Sequence, residues 1–118
     1  MKQLVLIPLL VIASPAWADK PEVVGVVATQ NGDTWRFDVT ITHGDTGWDD
    51  YADGWQVLDA DGQVLGTRPL AHPHVNEQPF TRSQSGIAIP DGITTVFIQV
   101  SDNVVGYYDD PMPFALPD

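Results

Sequence analysis

The chain has 118 residues, no cysteine, and only five Lys and Arg against sixteen Asp and Glu, which gives a formal net charge of −11. This length suits a single domain. The absence of cysteine excludes disulfide frameworks, Cys-ligated zinc, iron–sulfur clusters and a lipid-modified cysteine. The negative charge argues against nucleic acid as a partner, because phosphate binding needs clusters of Lys and Arg.

Residues 1–18 have the layout of a secretory signal peptide. A basic start at Lys2 is followed by an apolar run, and Ala16 and Ala18 occupy the −3 and −1 positions before Asp19. The apolar stretch 4–18 has 15 residues, whereas a membrane-spanning helix needs about 20. We therefore expect cleavage after Ala18, no membrane insertion after processing, and a domain of residues 19–118 in a bacterial periplasm, with full secretion as the second choice.

The rest of the chain is patterned for short antiparallel strands. In residues 34–43 the odd positions Trp35, Phe37, Val39 and Ile41 alternate with polar residues, as a half-buried strand requires. Similar segments lie at 23–29, 55–59, 63–68, 80–89 (with a bulge expected at Gly86), 94–102 and 106–116. The last contains prolines and therefore belongs at a sheet edge. The sequence predicts an all-β fold, a single immunoglobulin- or fibronectin-like antiparallel β-sandwich of about seven strands.

Strand direction separates the connections into two ends. Tight turns at 31–33, 61–62 and 90–92 are expected at one end. The longer loops 43–54, 69–78 and 102–106 are then expected at the other end, and these loops carry all three histidines of the chain. His43 and Asp102 both have the inward phase of their strands, so we expect them to close that end of the core.

This end of the sandwich is the candidate metal site. Imidazoles and carboxylates are common ligands of zinc and copper(II), and His72 and His74 flank a proline that favours extended backbone, which directs both rings to one side. The predicted ligands, or groups that orient them, are His43, His72, His74, Asp45, Glu77 and Asp102. The alternative is structural: histidines that cap the core or bond loop carbonyls.

The first long loop also forms an acidic and aromatic rim, comprising Trp48, Asp49, Asp50, Tyr51 and Asp53. Clustered aspartates in a Gly-containing loop suit calcium, although their spacing matches no EF-hand, so calcium ranks below copper and zinc. The carboxylates could equally be solvated or cap turns. The aromatic residues could form a platform for a ligand or partner, or a lid over the core.

Two runs, 43–55 and 72–83, resemble a group of small exported bacterial proteins whose activity is uncharacterised. The resemblance covers most of the chain after residue 18 and implies export without implying an activity. The chain is also similar to periplasmic copper-carrier sandwiches in size and compartment, but Met1 and Met112 are its only methionines. A copper(I) carrier uses a methionine-rich ligand set, so copper(II) held by imidazole is the form expected here.

Catalysis has little support, because no G-x-S-x-G elbow, S-x-x-K motif or phosphate-cradling glycine loop is present. We predict that the protein is not an enzyme. The leading hypothesis is a small binding module that holds a divalent metal ion or a small polar ligand. The alternative is a non-catalytic interaction or structural protein that docks on a basic partner through its acidic and aromatic rim.

Overall fold

A computed structural model describes residues 20–118, so the predicted signal peptide lies outside the described residues. Within 20–118 the regular elements are all strands. They are β1 (Glu22–Asn31), β2 (Thr34–Thr42), β3 (Ala52–Leu58), β4 (Val64–Pro69), β5 (Phe80–Ile87), β6 (Thr95–Asp102), β7 (Gly106–Tyr107) and β8 (Met112–Ala115). In this part of the chain no helix is long and apolar enough to cross a membrane.

The strands form two sheets in which every pairing is antiparallel. One sheet has the order β1-β2-β5; the other has the order β4-β3-β6-β7, with β8 also paired to β6. The all-β prediction is confirmed, whereas the assignment to the immunoglobulin or fibronectin type stays a prediction.

One hydrophobic core lies between the sheets. The four alternating residues predicted to face inward from β2 are all buried. From the other sheet, Trp55 and Val57 of β3 and Ile98 of β6 are buried in the same core. The rings of Phe37 and Phe114 meet edge to face across the two sheets at 6.2 Å, a geometry that aromatic quadrupoles favour.

The predicted turns and bulge are present. A two-residue turn joins β1 to β2 with Gly32 at φ 65°, and the register between β2 and β5 shifts beside Gly86, which has φ 72°. The last segment differs from its prediction: it forms two short strands, β7 and β8, so the described chain has eight strands. Proline cannot donate to a ladder, and Pro111 lies in the break between the two.

The three long loops meet at one end of the molecule. The carboxylate of Asp45 accepts a hydrogen bond from the backbone N–H of His74 at 2.7 Å, which joins the first loop to the second. The backbone N–H of Asn103 donates to the carbonyl of Tyr51 at 3.1 Å, which joins the first loop to the third. The expected clustering of these loops is therefore present.

Candidate functional site

His43 is the centre of the site. It directly follows β2, and its side chain is fully buried, as its inward phase predicted. Its Nδ1 lies 2.6 Å from Oδ1 of Asp45. Its Nε2 lies 3.7 Å from both Oδ1 of Asp50 and Oδ2 of Asp102. One ring thus has a carboxylate against one nitrogen and two carboxylates near the other.

Asp45 holds the ring in place. Besides contacting His43, its Oδ1 accepts from the backbone N–H of Ala52 at 3.0 Å, and its Oδ2 accepts from that of His74 at 2.7 Å. Both oxygens are therefore engaged within the protein. A carboxylate on the far nitrogen of an imidazole fixes the orientation of the ring and raises its basicity as a ligand. Asp45 has this orienting position.

Asp102 is fully buried at the end of β6 and organises the third loop. Its Oδ1 accepts from the backbone N–H groups of Val104 and Val105 at 3.0 and 2.8 Å. Its Oδ2 accepts from the hydroxyl of Tyr108 at 2.6 Å and is the oxygen that faces His43. The sequence does not predict this contact between Tyr108 and Asp102.

Asp50 lies in the tight part of the first loop. Its backbone pairs with Gly47 in an isolated bridge, and its carbonyl accepts from the N–H of Thr46 at 2.9 Å. This backbone turn directs its carboxylate toward His43. The sequence assigned Asp50 to the rim, because an irregular loop has no periodicity from which side-chain direction can be predicted.

His43, Asp50 and Asp102 together form a candidate metal site, which we call the His-Asp cluster. One possible ligand atom from each lies within 4.8 Å of the others, and this is the only such group of three or more found within residues 20–118. Ligand atoms 3.7 Å apart can both contact one ion at about 2.1 Å. One nitrogen and two oxygens suit zinc or copper(II).

The charge around the His-Asp cluster favours a cation. Three carboxylates approach a single imidazole, and buried charge is costly unless it is compensated. The Lys and Arg residues within 20–118 have polar partners elsewhere: Lys20 with Asp110, Arg36 with Asp38, Arg68 with Ser83, and Arg82 with His74 and Glu77.

His74 lies next to the His-Asp cluster but is not part of it. Its ring stacks on Phe80 with centroids 3.9 Å apart and planes 8° apart, and its Nε2 lies 2.8 Å from a guanidinium nitrogen of Arg82. Since Arg can only donate, Nε2 is the acceptor. Burial, then the charges of Arg82 and His72, lower the pKa of His74 below its ordinary 6.5.

The predicted ligand set therefore divides into two groups. His72 is exposed, with its ring centroid 4.6 Å from that of His74 and its Nδ1 3.0 Å from the carbonyl of Pro73. The side chain of Glu77 is 65% exposed and pairs with Arg82 at 3.7 Å. The structure brings His43, Asp45 and Asp102 together, adds Asp50, and leaves His72, His74 and Glu77 on the adjoining loop.

Gln78 connects the two groups and was not singled out from the sequence. Its Oε1 accepts from the backbone N–H of His43 at 2.9 Å, and its Nε2 donates to the carbonyl of His74 at 2.8 Å. This side chain bonds the end of β2 to the second loop. A glutamine in a loop gives no pattern in the sequence by which this contact could be predicted.

Polar contacts fix the backbone of the acidic and aromatic rim, while Trp48 and Asp49 remain exposed to solvent. The side chain of Asn103 accepts from the N–H of Tyr51 and donates to the carbonyl of Trp48, both at 2.8 Å. Trp48 is 66% exposed and meets Tyr51 edge to face at 5.5 Å, so Trp48 does not act as a lid over the core. Asp49 is also exposed.

Asp53 is used within the five-stranded sheet. It accepts a hydrogen bond from the hydroxyl of Ser101, which links β3 to β6. Burial, and then the charge of Asp53, raise the pKa of Tyr107 above its ordinary 10.0. Asp53 is therefore engaged with Ser101 and lies near Tyr107, in a contact between β3 and β6.

Part of the chain is similar to a known protein. A protein of Halomicrobium mukohataei, described as a "Putative lipoprotein", is 46% identical over 72 residues, which are 61% of this chain and 35% of that protein. The chain thus spans about a third of the length of this curated relative. No family model matches the chain, and no solved structure gives a significant match.

Proposed function

We propose that the protein is a small exported β-sandwich module, not an enzyme, that binds a divalent metal ion at the His-Asp cluster. Export is supported by the signal-peptide pattern of residues 1–18 and by the description of the relative as a lipoprotein. The periplasm is the proposed compartment, with secretion as the second choice. An immunoglobulin-like arrangement is proposed for the two sheets.

The observation that carries the metal proposal is the position of the His43 ring. Asp45 contacts Nδ1 at 2.6 Å while two further carboxylates face Nε2. A metal ion at Nε2 would complete the carboxylate–imidazole–metal order that is common in metalloproteins. A cation bound by Nε2, Asp50 and Asp102 would compensate the negative charge of the two carboxylates.

The donor atoms favour zinc or copper(II). Imidazole nitrogen is a good ligand for both ions, whereas calcium prefers six to eight oxygen ligands. The three residues of the His-Asp cluster supply one nitrogen and one facing oxygen from each of the two carboxylates. Calcium therefore remains the less favoured ion, and water would supply a fourth ligand to zinc.

Thermal unfolding with separate additions of zinc, copper(II), nickel and calcium tests the proposal. We expect zinc or copper(II) to raise the unfolding free energy by about 2.7 kcal/mol at 100 times its dissociation constant. Asp50→Asn is expected to remove most of this rise, because it deletes a carboxylate from the least buried member of the His-Asp cluster.

Two matched variants make the experiment specific. Asp49→Asn removes the same charge from the exposed neighbour of Asp50 and should keep the rise. His72→Ala should keep it as well, since His72 is exposed on the adjoining loop. The site would be contradicted if zinc or copper(II) raised the unfolding free energy of Asp50→Asn as much as that of wild type. It would also be contradicted if His72→Ala were the only variant to lose this rise.

A second candidate function is supported by the exposure of Trp48. This side chain is 66% exposed beside the acidic rim, in a chain of net charge −11, and a tryptophan anchor surrounded by carboxylates suits a basic protein partner. A protein that functions only by binding such a partner would need no metal ion. If none of the four ions raises the unfolding midpoint, the second candidate is favoured.

A further inference from the structure

No strand of the described residues pairs with the outer edge of β1, which is one edge of the three-stranded sheet. Within residues 20–118, β1 pairs with β2 alone and is the terminal strand in the order β1-β2-β5. It is ten residues long, and the β-bulge near Val24 leaves a regular register from Val26 to Asn31. An edge of this kind presents unpaired N–H and C=O groups that can template another strand.

The other edges of the two sheets are protected. β5 is covered by β4, since the two strands approach so closely that a Cβ at Gly66 would lie 2.6 Å from the side chain of Ile87. β4 carries Arg68 and ends at Pro69, and β8 contains Pro113. Charged residues, prolines and covering strands are the usual protection against edge pairing.

β1 has almost none of this protection. From Val23 to Asn31 it has no charged residue and no proline, although the chain has sixteen acidic residues. Val24 and Val27 are 54% and 59% exposed. In this acidic molecule, β1 is therefore a long, uncharged edge on which a second molecule of the same charge can approach with little local repulsion.

The register also gives the direction of the free backbone groups. Asn31 and Thr34 close the two-residue turn as a pair, and hydrogen-bonded and non-hydrogen-bonded pairs alternate along an antiparallel ladder. Val26, Ala28 and Gln30 therefore direct their N–H and C=O groups away from β2. This spacing is what a further antiparallel strand requires.

We propose that two copies of this protein associate about a two-fold axis through antiparallel pairing of their β1 strands. The two three-stranded sheets then form a single six-stranded sheet. An antiparallel edge is self-complementary, which is the requirement for a two-fold interface. The occupant is a second copy because the edge is neutral; a basic partner would be attracted to the acidic loops instead. This proposal is independent of metal binding.

Sedimentation velocity on the purified protein with EDTA, over a concentration series up to about 1 mM, tests this association. We expect a monomer–dimer equilibrium that shifts toward dimer as NaCl increases, because salt screens the repulsion between two copies of net charge −11. Val27→Lys should raise the dissociation constant about tenfold or more, since a lysine on a sheet edge opposes pairing with a further strand.

Val75→Lys is the matched control, because Val75 is 50% exposed but lies in a loop. It introduces the same charge and should leave the equilibrium near that of wild type. Gln30→Pro is a second variant, which removes an outward N–H without removing a bond to β2. A monomer at every concentration, or a dimer that Val27→Lys and Gln30→Pro leave unchanged while each keeps its β-sheet spectrum, would overturn the proposal.

Discussion

Asp45 illustrates how one residue can have a role that its sequence position leaves open. The sequence indicates a carboxylate two residues after His43, which could bind a metal ion or orient a ligand. In the structure its two oxygens accept from Ala52 and His74 and contact His43. A buried carboxylate with these partners is fixed in position, so it orients the ring and joins two loops.

His74 makes stability depend on pH. Burial is the first cause that lowers its pKa below 6.5, followed by the positive charge of Arg82. Because the folded pKa lies below the unfolded value, the contribution of His74 is complete above pH 6.5 and is lost as the pH falls through the folded pKa. Protonation would also remove the acceptor for the Arg82 N–H.

We expect wild type to lose more unfolding free energy than His74→Gln between about pH 8 and pH 5. Urea unfolding across this range measures the difference. His72→Gln is the comparison: it removes only the smaller effect of the His72 charge on the pKa of His74, so it should keep most of the wild-type pH dependence. Parallel pH profiles for wild type and His74→Gln would show that His74 does not carry this dependence.

At the scale of elements, the two sheets meet differently on their two sides. On one side β4 packs against β5 at Gly66. On the other side a cleft of about 400 Å³ lies between the start of β1, β6 and the segment 110–113, which includes the start of β8. An ion pair between Lys20 and Asp110 spans this side. The close packing of β4 against β5 depends on the absence of a side chain at Gly66.

Gly66→Ala is expected to destabilise the protein by about 1–3 kcal/mol, because an added methyl group overpacks a close contact. The new Cβ would lie 2.6 Å from the Ile87 side chain. Urea unfolding measures the change. Gly25→Ala is the control, since its Cβ would meet Thr40 at an ordinary 3.6 Å. Equal stability of the two variants would argue against a tight β4–β5 contact.

At the scale of the whole molecule, charge opposes folding. The chain has sixteen acidic residues against five Lys and Arg, and self-repulsion destabilises a compact state. Salt screens such repulsion, with a Debye length of about 10 Å at 0.1 M and about 3 Å at 1 M. The folded protein should therefore be more stable in salt than in dilute buffer.

We expect the unfolding free energy to rise by on the order of 1 kcal/mol between low salt and 1 M NaCl. Urea unfolding in the presence of EDTA measures this change without contribution from contaminating metal ions. KCl at equal ionic strength should give the same rise, because screening depends on ionic strength. A flat response, or one that differs between the two salts, would contradict this explanation.

The sequence by itself determined the all-β class, the buried face of β2, the tight turns and the inward position of His43 and Asp102. These features follow from local rules: side chains alternate along a strand, and glycine permits the turn conformations. Only the tertiary structure decided that Asp50 joins His43 while His74 turns to Phe80 and Arg82. The reason is physical: loop backbone has no repeating geometry, so the direction of a loop side chain depends on contacts between residues far apart in the chain, such as those of Asp45 and Gln78.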